Sequence, residues 1–149
     1  MEKVRFIPIY NWDNAIAATI KGKLNEAGGE TEIKNGNTKF VISYADDQNG
    51  INFKNGKTEE HLCWDVFFAT VDVLKQNGGK ALKGDATKGS LGTKALPLDS
   101  VEGYVASVVF GQKKRQTVEK RINKIATLLK WADIVSVGRD SLELKEQYM

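Results

Sequence analysis

Short apolar runs at helical or strand spacing alternate along this chain with clusters of Gly, Asn and Asp, and the expected elements follow from that alternation. After an apolar stretch from Val4 to Tyr10, the segment Asp13 to Ala27 places Ile16, Ile20 and Leu24 at helical spacing, which predicts an amphipathic helix stopped by Gly28-Gly29. Thr38 to Tyr44 is rich in aromatic and β-branched residues, and Asp46 to Gly50 separates it from Ile51-Asn52-Phe53. A β-hairpin is expected there, bracketed by the turn signals Asn35-Gly36 and Asn55-Gly56. Thr58 is a suitable N-cap, and Glu59 and Glu60 follow it where a helix dipole favours anions. With Cys63, Phe67, Val71 and Leu74 on one face, a second, core helix is expected to run to Gly78-Gly79.

Residues 79–97 are rich in Gly and Lys without a period, so they read as a loop or linker between an N-terminal portion, 1–78, and a C-terminal portion, 98–149. The latter opens with Asp99-Ser100-Val101-Glu102, an acid cap followed three residues on by Glu, which predicts a helix to about Phe110. Thr117 is placed to cap a further helix, Val118 to Ala132, that buries Ile122, Ile125, Leu128 and Leu129. Ile134 to Val137 and Ser141 to Leu144 then flank the turn Gly138-Arg139-Asp140 as a short hairpin. The fold class expected is α+β: a helix–hairpin–helix portion followed by helix, helix and hairpin.

Composition narrows the picture. A chain of 149 residues fits one domain or two very small ones, and its 41% hydrophobic share suffices for a core. No apolar run reaches the ~20 residues that span a bilayer, and the N-terminal apolar patch is too short for a signal peptide, so a cytoplasmic location is expected. Cys63 is the only cysteine, which rules out an internal disulfide and a four-thiolate zinc site within one chain. Residues 1–78 carry nine Lys and Arg against eleven Asp and Glu; residues 79–149 carry thirteen against eight. The basic character belongs to the second half.

Little in the chain points to catalysis, and an enzyme, a metal site or a cofactor is not expected. His61 and Asp65, at i and i+4 on the expected helix, read as an exposed hydrogen-bonded pair rather than metal ligands. Gly84 to Ser90 has the glycine spacing of a phosphate loop but lacks the Lys that should follow the second Gly. Glu32-Ile33-Lys34, with Asp13 upstream, has the E-x-K portion of a nuclease site, a three-residue pattern that arises easily by chance in a Lys- and Glu-rich chain. Cys63 reads as a small core residue.

The order helix, turn, longer helix ending in Leu128-Leu129-Lys130-Trp131, then a hairpin tipped by Gly-Arg-Asp resembles the C-terminal part of winged-helix, helix-turn-helix DNA-binding domains over residues 98–145. The resemblance implies a first helix drawn from residues 58–78, a second helix lying in the major groove and a wing on the backbone or minor groove. It implies that Arg121 and Asn123 meet base edges, with Lys113, Lys114, Arg115, Lys120 and Lys124 on phosphates and Arg139 at the wing tip. Lys83 and Lys88, with Lys80 and Lys94, would let the Gly-rich loop wrap a backbone. The resulting expectation is a non-enzymatic DNA-binding protein, a transcriptional regulator or DNA-targeting accessory, with a homodimer on a palindromic site as one form. The competing expectation is a small inhibitor or adaptor that docks on another protein, as small proteins of phage and mobile elements do.

Overall fold

The computed structural model describes residues 14–149 of the chain; the apolar stretch Val4 to Tyr10 and Asp13 lie outside them. Among the described residues the class is α+β, with four helices and two antiparallel sheets. Helix α1 (Asn14–Glu26) buries Ile16, Ile20 and Leu24 as their spacing requires. At its end Gly29 N–H donates to Leu24 O at 2.9 Å and Gly28 N–H to Asn25 O at 3.0 Å, a closure that needs the positive φ both glycines adopt.

Four strands follow as a meander, β1 (Glu30–Asn35), β2 (Thr38–Tyr44), β3 (Gly50–Asn55) and β4 (Thr58–Cys63), in spatial order β1-β2-β3-β4. The expected hairpin is its centre, β2 with β3. Asn35-Gly36 and Asn55-Gly56 are not mere brackets. Asn35 pairs with Thr38 and Asn55 with Thr58, so each glycine sits in a two-residue turn that leads to another strand. Thr58 therefore caps no helix. Residues 58–63 pair along Gly50–Asn55, with Leu62 buried while Glu59 and His61 face water.

Helix α2 starts only at Trp64 and runs to Gln76, with Phe67, Val71 and Leu74 fully buried and a Gly78-Gly79 ending of the same kind as that of α1. Cys63 is the last residue of β4 and half-buried, not a core residue of the helix, and burial pushes its thiol pKa up. Gly50 is obligatory for a different reason from the turn glycines. A Cβ there would lie 2.1 Å from the backbone oxygen of Leu62 on the neighbouring strand.

The Gly/Lys-rich segment is more ordered than its composition predicts. Its first residues form β5 (Lys80–Leu82), which pairs with β7 (Ser141–Leu144); β6 (Val135–Val137) completes a three-stranded sheet in the order β5-β7-β6. The remainder is pinned by Leu91 and Leu96, both buried with Ala106 and Val118 in a small cluster of their own. One larger cluster takes side chains from α1, both sheets, α2, α3 (Val101–Val108) and α4 (Ile122–Trp131), on either side of that segment.

Two further helix starts differ from expectation. Ser100, not Asp99, caps α3, its Oγ accepting from Gly103 N–H at 3.1 Å. Glu102 does not fold back to complete a capping box; it is 1% exposed and reaches across to the start of α4, where Oε1 accepts from Arg121 N–H at 2.6 Å. Helix α4 begins there rather than at Val118, because Val118 is drawn into the small cluster and the side-chain oxygen that meets the helix start comes from Glu102 instead of Thr117.

Candidate nucleic-acid interface

Helix α4 carries the strongest expectation, so its surroundings decide the site. The four-stranded sheet lies against it through β1 and β2. Ile125, Thr127, Leu128 and Leu129 are at most 1% exposed, with Thr127 Oγ1 bonded to Asn123 O at 2.6 Å. Lys124 is half-buried; its Nζ lies 2.7 Å from Glu60 Oε1 on β4 and 5.7 Å from the Phe40 ring centre. Lys130 reaches Asn35 Oδ1 at 3.1 Å. The polar face expected to be open is largely sheathed.

Arg121 is among the most enclosed of the expected residues. Expected to meet a base edge, it is 9% exposed, stacks on Phe110 with its guanidinium carbon 3.9 Å from the ring centre, and contacts Glu119 Oε2 at 3.4 Å. Its place is structural. At the helix start, Arg121 N–H is already engaged by the Glu102 carboxyl. Burial raises the Glu102 pKa to about 7, against the opposing pull of the Arg121 and Ile122 backbone N–H groups and of nearby Arg121 and Lys120. Beside it, Glu119 and Glu60 share a hydrogen bond, which pushes Glu119 up, while the contacts to Glu119, Lys124 and Arg121 outweigh burial and hold Glu60 down.

Five of the other expected residues converge, while Lys80, Lys88, Lys113, Lys114 and Arg115 do not join them. A cleft of about 370 Å³ opens where the Gly-rich loop, the start of α4 and the β6–β7 turn meet, and Lys83, Lys94, Lys120, Asn123 and Arg139 line it together with Asp85 and Asp140. Lys120, Asn123, Lys94 and Arg139 are exposed. Lys83 is half-buried, donates to Arg139 O at 3.1 Å, and has its pKa lowered by burial, partly offset by Asp140. Lys88, at the mouth of the loop, lies 4.0 Å from Asp85 Oδ2. The Asp85 carboxyl is held below its usual range chiefly by the Thr87 hydroxyl, which donates at 2.5 Å.

Lys113, Lys114 and Arg115 are exposed on a tight turn fastened to the Gly-rich loop, where Arg115 N–H donates to Leu91 O at 2.8 Å and Arg115 itself takes a positive φ. Lys80 is exposed on β5. A second cleft of about 480 Å³, lined by Asn37, Thr38, Lys39, Phe40 and Asn55 of the large sheet, meets the first at Lys120 and Asn123. Sequence reasoning did not reach the sheet residues. The signal available for Lys39 was its outward position in β2, between Thr38 and the buried Phe40.

The other expected chemistry is dispersed. His61 is exposed on β4 while Asp65 is buried in α2, so they do not share a helix face. Among the described residues no group of three or more His, Cys, Asp or Glu is placed to hold a metal ion. Glu32 and Lys34 point to solvent from β1, and no helix follows Gly84 to Ser90 directly. No described helix is long and apolar enough to cross a membrane. Comparison with protein-family models, curated proteins and solved structures returned no match to this chain.

Proposed function

We propose that the protein is a non-enzymatic DNA-binding protein that engages duplex DNA through the cleft at the start of α4. The observation that carries this reading is the convergence of Lys83, Lys94, Lys120 and Arg139 on one opening, from three separate segments, with only Asp85 and Asp140 opposing them. Lys94, Lys120 and Arg139 are exposed there and suit phosphate oxygens, whose neutralisation releases counterions and supplies most sequence-independent affinity. The order α2, β5, α3, α4, β6, β7, with strands arranged β5-β7-β6, supports a winged-helix scaffold for it, with α2 as the first helix and Arg139 at the wing tip.

The test is binding of a fluorescent duplex of about 20 base pairs from roughly 50 to 200 mM salt, beside a Lys94→Ala/Lys120→Ala/Arg139→Ala variant. Each phosphate contact contributes about −0.9 to the slope of log affinity against log salt, so the variant should flatten it by between two and three. An unchanged slope refutes the assignment of the cleft. The second reading, docking on another protein, is favoured by one observation: Leu82, 56% exposed on the cleft wall, is an apolar anchor that phosphate binding does not require.

A further inference from the structure

A helix that reads bases in a major groove has to offer three or four side chains along one open face. Helix α4 does not. Asn123 in its first turn opens onto the clefts, but one turn on Thr127 is 1% exposed, Lys124 is held by Glu60, and Lys130 at the far end bonds to Asn35 of the sheet. Strands β1 and β2 pack against α4, and Asn35 at the end of β1 holds Lys130. Those contacts are part of the main core, where Ile33, Phe40, Ile125 and Leu129 belong to one buried cluster, so the sheet is not a detachable cover.

What remains open is a path rather than a point. The first cleft shares Lys120 and Asn123 with the second, so the lining runs from Arg139 at the β6–β7 turn to Lys39 on β2 and Asn55 at the end of β3. Single cations spaced along this path and short amides, Asn37, Asn55 and Asn123, are groups that bond to phosphate and sugar oxygens, which position a duplex without reporting its sequence. We infer that this composite groove follows the sugar–phosphate backbone of duplex DNA irrespective of base sequence, and that Lys39 of the large sheet is one of its phosphate contacts. The inference rests on the preceding reading and adds two things to it: the mode of recognition and the contribution of the sheet.

The experiment measures affinity and salt slope on three duplexes of equal length, AT-rich, GC-rich and mixed, for the intact protein, Lys39→Ala and Asn123→Ala. The expected result is affinities within about threefold of one another on all three. Lys39→Ala should weaken binding equally on each and reduce the slope by about 0.9, and Asn123→Ala should create no difference between duplexes. Preference for one duplex by more than about tenfold, erased by Asn123→Ala, would overturn the inference in favour of base reading. So would an unchanged slope in Lys39→Ala. Either of those results leaves the first cleft standing as a DNA site, whereas absence of binding to every duplex at low salt removes both proposals.

Discussion

Replacing Glu102 by Gln removes one proton-binding group from the centre of the molecule while keeping its size and an oxygen for Arg121 N–H. In the native protein this carboxyl is 1% exposed, and Oε1 is engaged while Oε2 has no hydrogen-bond partner among the described residues. Burial lifts its pKa from an ordinary 4.5 to about 7. The folded state therefore holds a proton between about pH 5 and 7 that the unfolded chain has released. Folding is favoured at the acid side of that window, and the advantage is lost as pH rises through about 7. At ~1.4 kcal/mol per tenfold, the difference amounts to roughly 2–3 kcal/mol between pH 5 and pH 8. Urea unfolding of both proteins at unit steps from pH 5 to 8 isolates the term, since Glu60 and Glu119 titrate in both. The wild type minus variant stability should fall by about that amount across the window. A difference that stays constant with pH would refute the argument that Glu102 is buried in its present contact.

Other substitutions test the remaining packing claims. Gly103→Ala would place a Cβ 2.0 Å from the backbone oxygen of Pro97, which cannot move aside cheaply, so thermal unfolding should register a loss of about 1–3 kcal/mol or more. Phe40→Ala opens the contact between the large sheet and α4; chemical denaturation should show a loss of about 3–5 kcal/mol, and a loss below 1 kcal/mol would contradict the sheathing of the helix. Arg121→Ala should lower stability by about 1–3 kcal/mol through lost stacking on Phe110 while leaving the salt slope of DNA binding unchanged. A flatter slope would return Arg121 to the binding surface.

The sequence made some of this legible through features that act locally. Helix α1, the body of α2, the β2–β3 hairpin and the terminal hairpin follow from period and from turn residues within a few positions of each element. Strands β1 and β4 were not recognised because each has a single fully buried apolar residue, Ile33 and Leu62, among polar ones that face water. Thr58-Glu59-Glu60 is as good a helix opening as it is an edge strand, and only its pairing with β3 decides. The start of α4 was illegible for a related reason: its capping carboxylate comes from Glu102, on another helix. The candidate site divides in the same way. Exposed loop cations were found by composition, but the removal of Arg121 and Thr127 from solvent, and the addition of Lys39, depend on how the sheet meets α4.

The position of β7 between β5 and β6 bears on the order of folding events. Every strand of the large sheet pairs with its neighbour in sequence, so the meander closes through short loops. The small sheet cannot close until Lys80 meets Glu143, with α3, α4 and the Gly-rich loop all lying between them along the chain. Loop-closure entropy places that pairing late. Contacts of β7 should then be weakly formed in the folding transition state, and substitutions there should speed unfolding more than they slow folding. The small sheet, on this account, is where the native state sets its lifetime.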